Sequence, residues 1–152
     1  MKIWCGVDPG KKGAMSFIFE DGRTQSVPFD RDAYRTRLTW LTESGHEIFC
    51  VVERVNAMPG QGTVSMFSFG QNFGWIEGLL DTLRIPYELV TPQRWKKAFG
   101  VTRDKNTSIS VAKRMFPNHD FKRTERSRVD DDGAAESLLL ALFGKRLEGD
   151  IS

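Results

Sequence analysis

The chain has 152 residues, 39% of them hydrophobic and 28% charged, with a formal net charge of +2. That size suits a single domain spanning residues 1–152, burying roughly 70% of the surface its unfolded form exposes. No apolar run approaches the roughly 20 residues of a membrane span, and the acid at position 8 arrives too early for a signal peptide, so an intracellular protein with no membrane role is expected.

In chain order, residues 2–8 read as a strand ended by Pro9-Gly10, residues 13–19 as a second strand turned by Glu20-Asp21-Gly22, and residues 23–29 as a third. Tyr34, Leu38 and Leu41 fall at helical spacing within a helix expected from Asp30 to Ser44. Residues 47–53 form the next strand, and the breaker-rich Asn56-Ala57-Met58-Pro59-Gly60-Gln61-Gly62 a loop. A helix is predicted from Thr63 to about Arg84, with Gly70, Gly74 and Gly78 on one face. Each glycine costs about 1 kcal/mol against alanine inside a helix, so close approach to another helix or to the sheet is expected there. A strand at Tyr87-Glu88-Leu89-Val90 and a short helix from Pro92 to Phe99 follow, with proline in its first turn. A helix from Thr107 to Met115 stops before Pro117, residues 118–130 read as a polar flexible loop, and the last helix runs from about Asp130 to Leu147. Three strands, helix, strand, helix, strand and helices make an α/β chain with a mixed sheet of about five strands flanked by helices.

Charge is unevenly placed. From Arg94 to Arg128 there are eleven basic and three acidic residues, a net +8, while the remainder carries eleven basic and seventeen acidic, a net −6. Such a block suggests a polyanion partner; its members include Arg94, Lys96, Lys97, Arg103, Lys105, Lys122, Arg123 and Arg126, with Lys11, Lys12 and Arg54 as basic neighbours of two strand-end acids. Cys5 and Cys50 lie in strand-like runs and are expected as buried reduced thiols. With no CxxC and only His46 and His119, a zinc set is not indicated.

Four acids stand where a carboxylate is costly. Asp8 follows the apolar run 3–7, Glu53 follows 48–52, and Asp132 and Glu136 open the apolar run 137–143. A carboxylate against a dry core needs a partner or a metal. Asp8 and Glu53 each come three residues after a cysteine, so parallel neighbouring strands would project them together. Asp132 and Glu136 are four apart on a helix and share a face. Acids meeting at one point would make a site for hard divalent cations, which prefer oxygen ligands. A pair of such ions can activate water and stabilise the leaving oxygen of a phosphodiester. The alternative for Asp130, Asp131 and Asp132 is ordinary helix capping. Trp95 and the phenylalanines read as core residues.

In order, Gly6-Val7-Asp8-Pro9-Gly10, Val52-Glu53-Arg54-Val55 and Asp131-Asp132-Gly133-Ala134-Ala135-Glu136-Ser137-Leu138 resemble the three acidic motifs of RuvC-type Holliday-junction resolvases. Phe69-Gly70-Gln71-Asn72-Phe73-Gly74 is similar to that family's glycine-containing helix, and Asp104-Lys105 resembles its basic motif before a helix. The resemblance spans Met1 to about Gly144, and the loop Met58–Gly62 looks most like phage-type members, which would place the protein in a bacterial host's cytoplasm. It implies an RNase H-like fold, a homodimer, and cleavage of branched DNA, the four-way junction above all, with two Mg2+ or Mn2+ per active site. Asp8, Glu53, Asp132 and Glu136 would hold the metal, with Asp131 an alternative to Asp132, and Lys105 would be an active-site cation. The family often sets its last two positions three apart; here Glu136 is four from Asp132 and five from Asp131. Bacterial members often carry an aromatic wedge after the second motif; Asn56 stands near that place, leaving Met58 or Phe67 as substitutes, or no wedge at all.

Other readings are a ribonuclease H or another branched-DNA nuclease on the same fold, and a junction binder that does not cut. A kinase- or actin-like ATPase is suggested by Asp8-Pro9-Gly10-Lys11-Lys12-Gly13, but such proteins need two such domains.

Overall fold

In the computed structural model, residues 1–55 and 62–149 are described. Alternating apolar stretches broken by Pro9-Gly10 and by Gly22, whose φ is 93°, fold into the meander β1 (Lys2–Val7), β2 (Ala14–Phe19) and β3 (Thr24–Pro28). β4 (Glu47–Glu53) and β5 (Tyr87–Val90) extend the sheet on the other side of β1, in parallel, giving the order β3-β2-β1-β4-β5. The mixed five-stranded sheet expected from the sequence is therefore the one found. β1 and β4 run in register, Cys5 opposite Cys50 and Val7 opposite Val52; both cysteines are buried and free.

Strand alternation divides the core into two layers. Ile3, Cys5, Val7, Cys50 and Val52 face α1 (Arg31–Glu43) and α2 (Thr63–Thr82), packing with Tyr34, Leu38, Ile76 and Leu80. Ile18, Val51 and Val90 face α3 (Pro92–Phe99), α4 (Lys105–Met115) and α5 (Asp132–Gly149). Helix α5 is apolar nearly all round, with Leu138, Leu139, Leu140 and Ala141 fully buried, as a central helix must be. Each such leucine contributes about 1.5–3 kcal/mol relative to exposure. No helix among the described residues is long and apolar enough to cross a membrane.

Four local expectations are corrected. Helix α4 begins at Lys105 rather than Thr107, because the Asp104 carboxylate accepts from Asn106 N at 3.0 Å and caps it. Helix α5 begins at Asp132, because Asp131 Oδ2 accepts from Ala134 N at 3.0 Å. The glycine stripe does not mark close packing within the chain: Gly70, Gly74 and Gly78 lie on the solvent side of α2, and a Cβ at any of them meets nothing within 4 Å. Asn72, Ile76 and Leu80 form the inward face instead. Finally, residues 118–130 are not a free polar loop. Phe121 is only 3% exposed, Lys122 bridges Asp130, and Asp131 N donates to the Phe121 carbonyl at 2.7 Å.

Candidate active site

Asp8 and Glu53 each lie one residue past the last in-register pair of β1 and β4. They share strand parity with Gly6 and Val51, so both carboxylates leave the sheet on its α5 side. Two glycines let α5 reach them. A Cβ at Gly6 would overlap the Ser137 carbonyl oxygen and Ala141 N, so the helix lies with its backbone against that of β1. A Cβ at Gly133 would likewise strike the Lys12 carbonyl, so the helix start is seated against the β1–β2 turn. Asp132 and Glu136, in the first turns of α5, are thereby carried to the ends of β1 and β4.

Each acid has its own holder. Glu53 is 7% exposed, and its Oε2 accepts from Trp95 Nε1 at 2.6 Å. Glu136 Oε1 accepts from the buried Ser108 hydroxyl at 3.4 Å. Asp8 Oδ1 accepts from Gly10 N at 3.2 Å. Asp132 is paired with Lys105 Nζ at 3.0 Å. Asp131, in contrast, caps the helix and lies 3.8 Å from the Arg123 guanidinium. The capping alternative thus describes Asp131, while Asp132 and Glu136 lie beyond it.

The acids feel one another. Burial, then the Asp8 charge, pushes the Glu53 carboxyl up to about 7, against the Trp95 hydrogen bond. Burial, then Asp8, likewise raises Glu136 to about 7, with Lys96 pulling the other way. Asp8 is raised by burial and by Asp132, opposed by the Gly10 hydrogen bond and by Lys105. Lys105 is raised mainly by its hydrogen bond to Asp132. Asp8, Glu53, Asp132 and Glu136 are linked electrostatically, with Lys96 and Lys105 the cations that act on them.

This donor set is made of carboxylate oxygens whose mutual repulsion a divalent cation would offset, so its chemistry fits Mg2+ or Mn2+. Among the described residues, however, no three acidic, His or Cys side chains are grouped so as to hold a metal ion.

The same coupling has a measurable sign. A carboxyl whose folded pKa lies above its ordinary value of 4.5 holds its proton more tightly in the folded state, so stability falls as pH rises from about 4.5 to about 7. In chelator, melting curves of the wild type are expected to lose stability across that window relative to the Glu53→Gln, Glu136→Gln double variant. Parallel curves would show that the two acids are not buried against like charge.

Of the basic residues singled out in the sequence, Lys11 and Lys12 are exposed in the turn after Asp8, and Arg54 is exposed just past Glu53. Lys97, Arg103, Lys122 and Arg126 are also exposed. Two others are tied into the fold. Arg94 pairs with Glu88 at 2.9 Å and lies over Phe143. Arg123 donates to the Lys12 and Lys11 carbonyls at 3.2 and 3.4 Å. Asn56 and Met58 lie outside the described residues, whereas Phe67 is 67% exposed on the first half of α2. Sequence reasoning missed Trp95 and Ser108 as holders of acids. A buried indole needs an acceptor for its N–H, which was the signal for Trp95; nothing in the sequence distinguishes Ser108.

Neither a protein-family profile nor a curated protein sequence matches the chain. Solved structures do. Thermus thermophilus RuvC in complex with a Holliday-junction substrate superposes with a TM-score of 0.65 at 14% identity, over 97% of this chain and 96% of that one. Another Thermus thermophilus RuvC structure gives 0.58 at 14% identity, with 96% of each chain covered. The yeast mitochondrial Holliday-junction resolvase gives 0.59 at 15% identity, over 95% of this chain and 78% of that one. The fold is thus that of RuvC-type, RNase H-like proteins.

Proposed function

We propose that the protein is a structure-selective endonuclease that resolves four-way DNA junctions. The observation that carries this reading is the charge coupling that links Asp8, at the end of β1, to Glu53 on the neighbouring parallel strand and to Asp132 and Glu136 on α5, with Lys96 and Lys105 of the basic block acting on the same acids. Its fold neighbours are a junction-bound RuvC and a mitochondrial junction resolvase.

Asp8, Glu53, Asp132 and Glu136 would hold two Mg2+ or Mn2+ ions. When bound, these supply a lowered water pKa and charge neutralisation at the scissile phosphate. The chain's own groups do the rest. Trp95 and Ser108 hold the Glu53 and Glu136 carboxylates in place. Lys105, at the start of α4, meets negative charge developing on the phosphate. The exposed Lys11, Lys12, Arg54, Lys97, Arg103, Lys122 and Arg126 contact phosphates, which position DNA without reading its sequence.

Paired nicks across a junction need two sites related by a two-fold axis. The solvent face of α2, with Gly70, Gly74, Gly78, Phe67 and the 83% exposed Val64, is the surface this reading assigns to the homodimer.

The test is cleavage of an immobile four-way junction, a flap and an RNA–DNA hybrid in parallel, with and without Mg2+, mapping product ends. Symmetric, Mg2+-dependent nicks confined to the junction are expected. Preference for the hybrid would move the reading to a ribonuclease H. Tight junction binding with no nicking in Mg2+ or Mn2+ would instead make the protein a junction binder that does not cut.

Phosphate binding by the basic block has its own measure. Replacing Lys122 and Arg126 by Ala is expected to flatten the log–log salt dependence of junction binding by about 0.9 for each phosphate no longer neutralised. An unchanged slope would place both side chains off the DNA. Arg123 is a poorer probe, because its guanidinium also holds the β1–β2 turn.

A further inference from the structure

A chain of hydroxyls, half-buried at His119 and fully buried at α5, links the basic segment after α4 to the first turn of α5. His119 stacks edge-on against Phe121, ring centroids 4.6 Å apart. Its Nδ1 lies 2.7 Å from Thr24 Oγ1 and its Nε2 2.7 Å from Ser26 Oγ, both on β3. Ser26 Oγ is 2.6 Å from Ser16 Oγ on β2, and Ser16 Oγ is 2.6 Å from Ser137 Oγ on α5. Ser137 Oγ in turn lies 2.7 Å from the Gly133 carbonyl oxygen. Ser16 and Ser137 are fully buried.

The proton order in this chain follows from its end. A carbonyl only accepts, and a serine has one hydrogen to give. The Ala134 carbonyl also faces this pair, 3.2 Å from Ser137 Oγ and 3.4 Å from Ser16 Oγ; the Gly133 carbonyl at 2.7 Å is the nearer acceptor for Ser137, so across the 2.6 Å contact Ser137 accepts from Ser16. Ser16 must then accept from Ser26, and Ser26 from His119. The ring therefore carries its proton on Nε2, and Nδ1 accepts from Thr24. Hydrogen bonds aligned head to tail in a buried setting polarise one another, and burial holds the His119 pKa below its ordinary value.

We infer that His119 is a positioning residue for the acids of α5. Through Ser26, Ser16 and Ser137 it fixes the turn of helix that carries Asp132 and Glu136. The same segment carries Lys122 and Arg126, and through Arg123 it grips the turn that follows Asp8. Phosphates drawn to this segment are thereby linked to the placement of the acids. The consequence for cleavage rests on the nuclease reading; the relay itself does not.

Two measurements test it. Nitrogen-15 NMR of the wild type is expected to find His119 as the Nε2–H tautomer, and Ser137→Ala is expected to shift the His119 ring nitrogens from three hydrogen bonds away. An Nδ1–H tautomer, or ring signals unmoved by Ser137→Ala, overturns the relay. In single-turnover assays on a four-way junction, His119→Ala and Ser16→Ala are expected to cut about ten- to a hundredfold more slowly while junction Kd stays within about twofold. His119→Gln, whose amide N–H can still donate to Ser26, is expected to recover most of the rate. Full-rate cleavage by His119→Ala, or loss of binding in step with rate, overturns the positioning role. A wild type that does not cut would sink the nuclease reading, and the tautomer measurement would still decide the relay.

Discussion

Asp8→Asn is expected to bind a four-way junction at least as tightly as the wild type and to nick it about a thousandfold or more slowly. Asparagine keeps the shape of the side chain and an oxygen that can accept from Gly10 N, now at 3.2 Å, so the β1–β2 turn should persist. What disappears is the charge that, after burial, does most to raise both Glu53 and Glu136. Removing a ligand to catalytic cations forfeits several kcal/mol of transition-state stabilisation, and each 1.36 kcal/mol is tenfold in rate. Binding should survive because the exposed cations after α4 and in the β1–β2 turn are untouched, and one fewer negative charge faces the phosphates. The variant should also be the more stable protein in chelator at pH 8, since a charge that repels the buried Glu53 and the half-buried Glu136 has gone. Inactivity together with added stability identifies an acid kept for chemistry rather than for folding. Wild-type nicking by Asp8→Asn would remove the case for a metal site, and inactivity caused by unfolding would appear as reduced stability instead.

The strands that carry two of the candidate acids were legible in the sequence because strands announce themselves locally. An apolar run closed by one carboxylate, twice, with a cysteine three residues before each acid, predicted two matching strands; the Cys5–Cys50 register supplies the match. The five-stranded sheet and its helices followed from period and turn residues. What stayed hidden depends on which way a helix face turns. Gly70, Gly74 and Gly78 share a face in any helix, but only the packing of Asn72, Ile76 and Leu80 settles that this face looks outward. Asp131 and Asp132 are neighbours in sequence with different work, one capping α5 and one paired with Lys105, and that division depends on where the helix starts. The Trp95–Glu53 bond and the hydroxyl chain from His119 join residues far apart in the chain, whose meeting no local pattern encodes.

The two sets of glycines should therefore respond in opposite directions. Gly6→Ala is expected to destabilise the protein by about 3 kcal/mol or more, at or above the upper end for overpacking a core. Its new Cβ would meet a carbonyl oxygen and an amide nitrogen of α5, which cannot swing aside as a side-chain end can; Leu140 Cβ, at 2.8 Å, closes the remaining direction. The helix has to lift off β1, and since it carries Asp132 and Glu136, the folded fraction should also cut poorly with junction binding little changed. Gly74→Ala meets nothing within 4 Å, so in a monomer it should gain about 1 kcal/mol from helix propensity alone. If the solvent face of α2 is where two copies meet, the same methyl group should weaken the dimer, read as a concentration-dependent fall in melting temperature or a shift in sedimentation. A neutral Gly6→Ala would mean that α5 does not lie against β1 and that nothing brings its acids to Asp8. Gly74→Ala with higher stability and an unchanged oligomeric state would move the dimer interface off α2 and leave the acid site where it is.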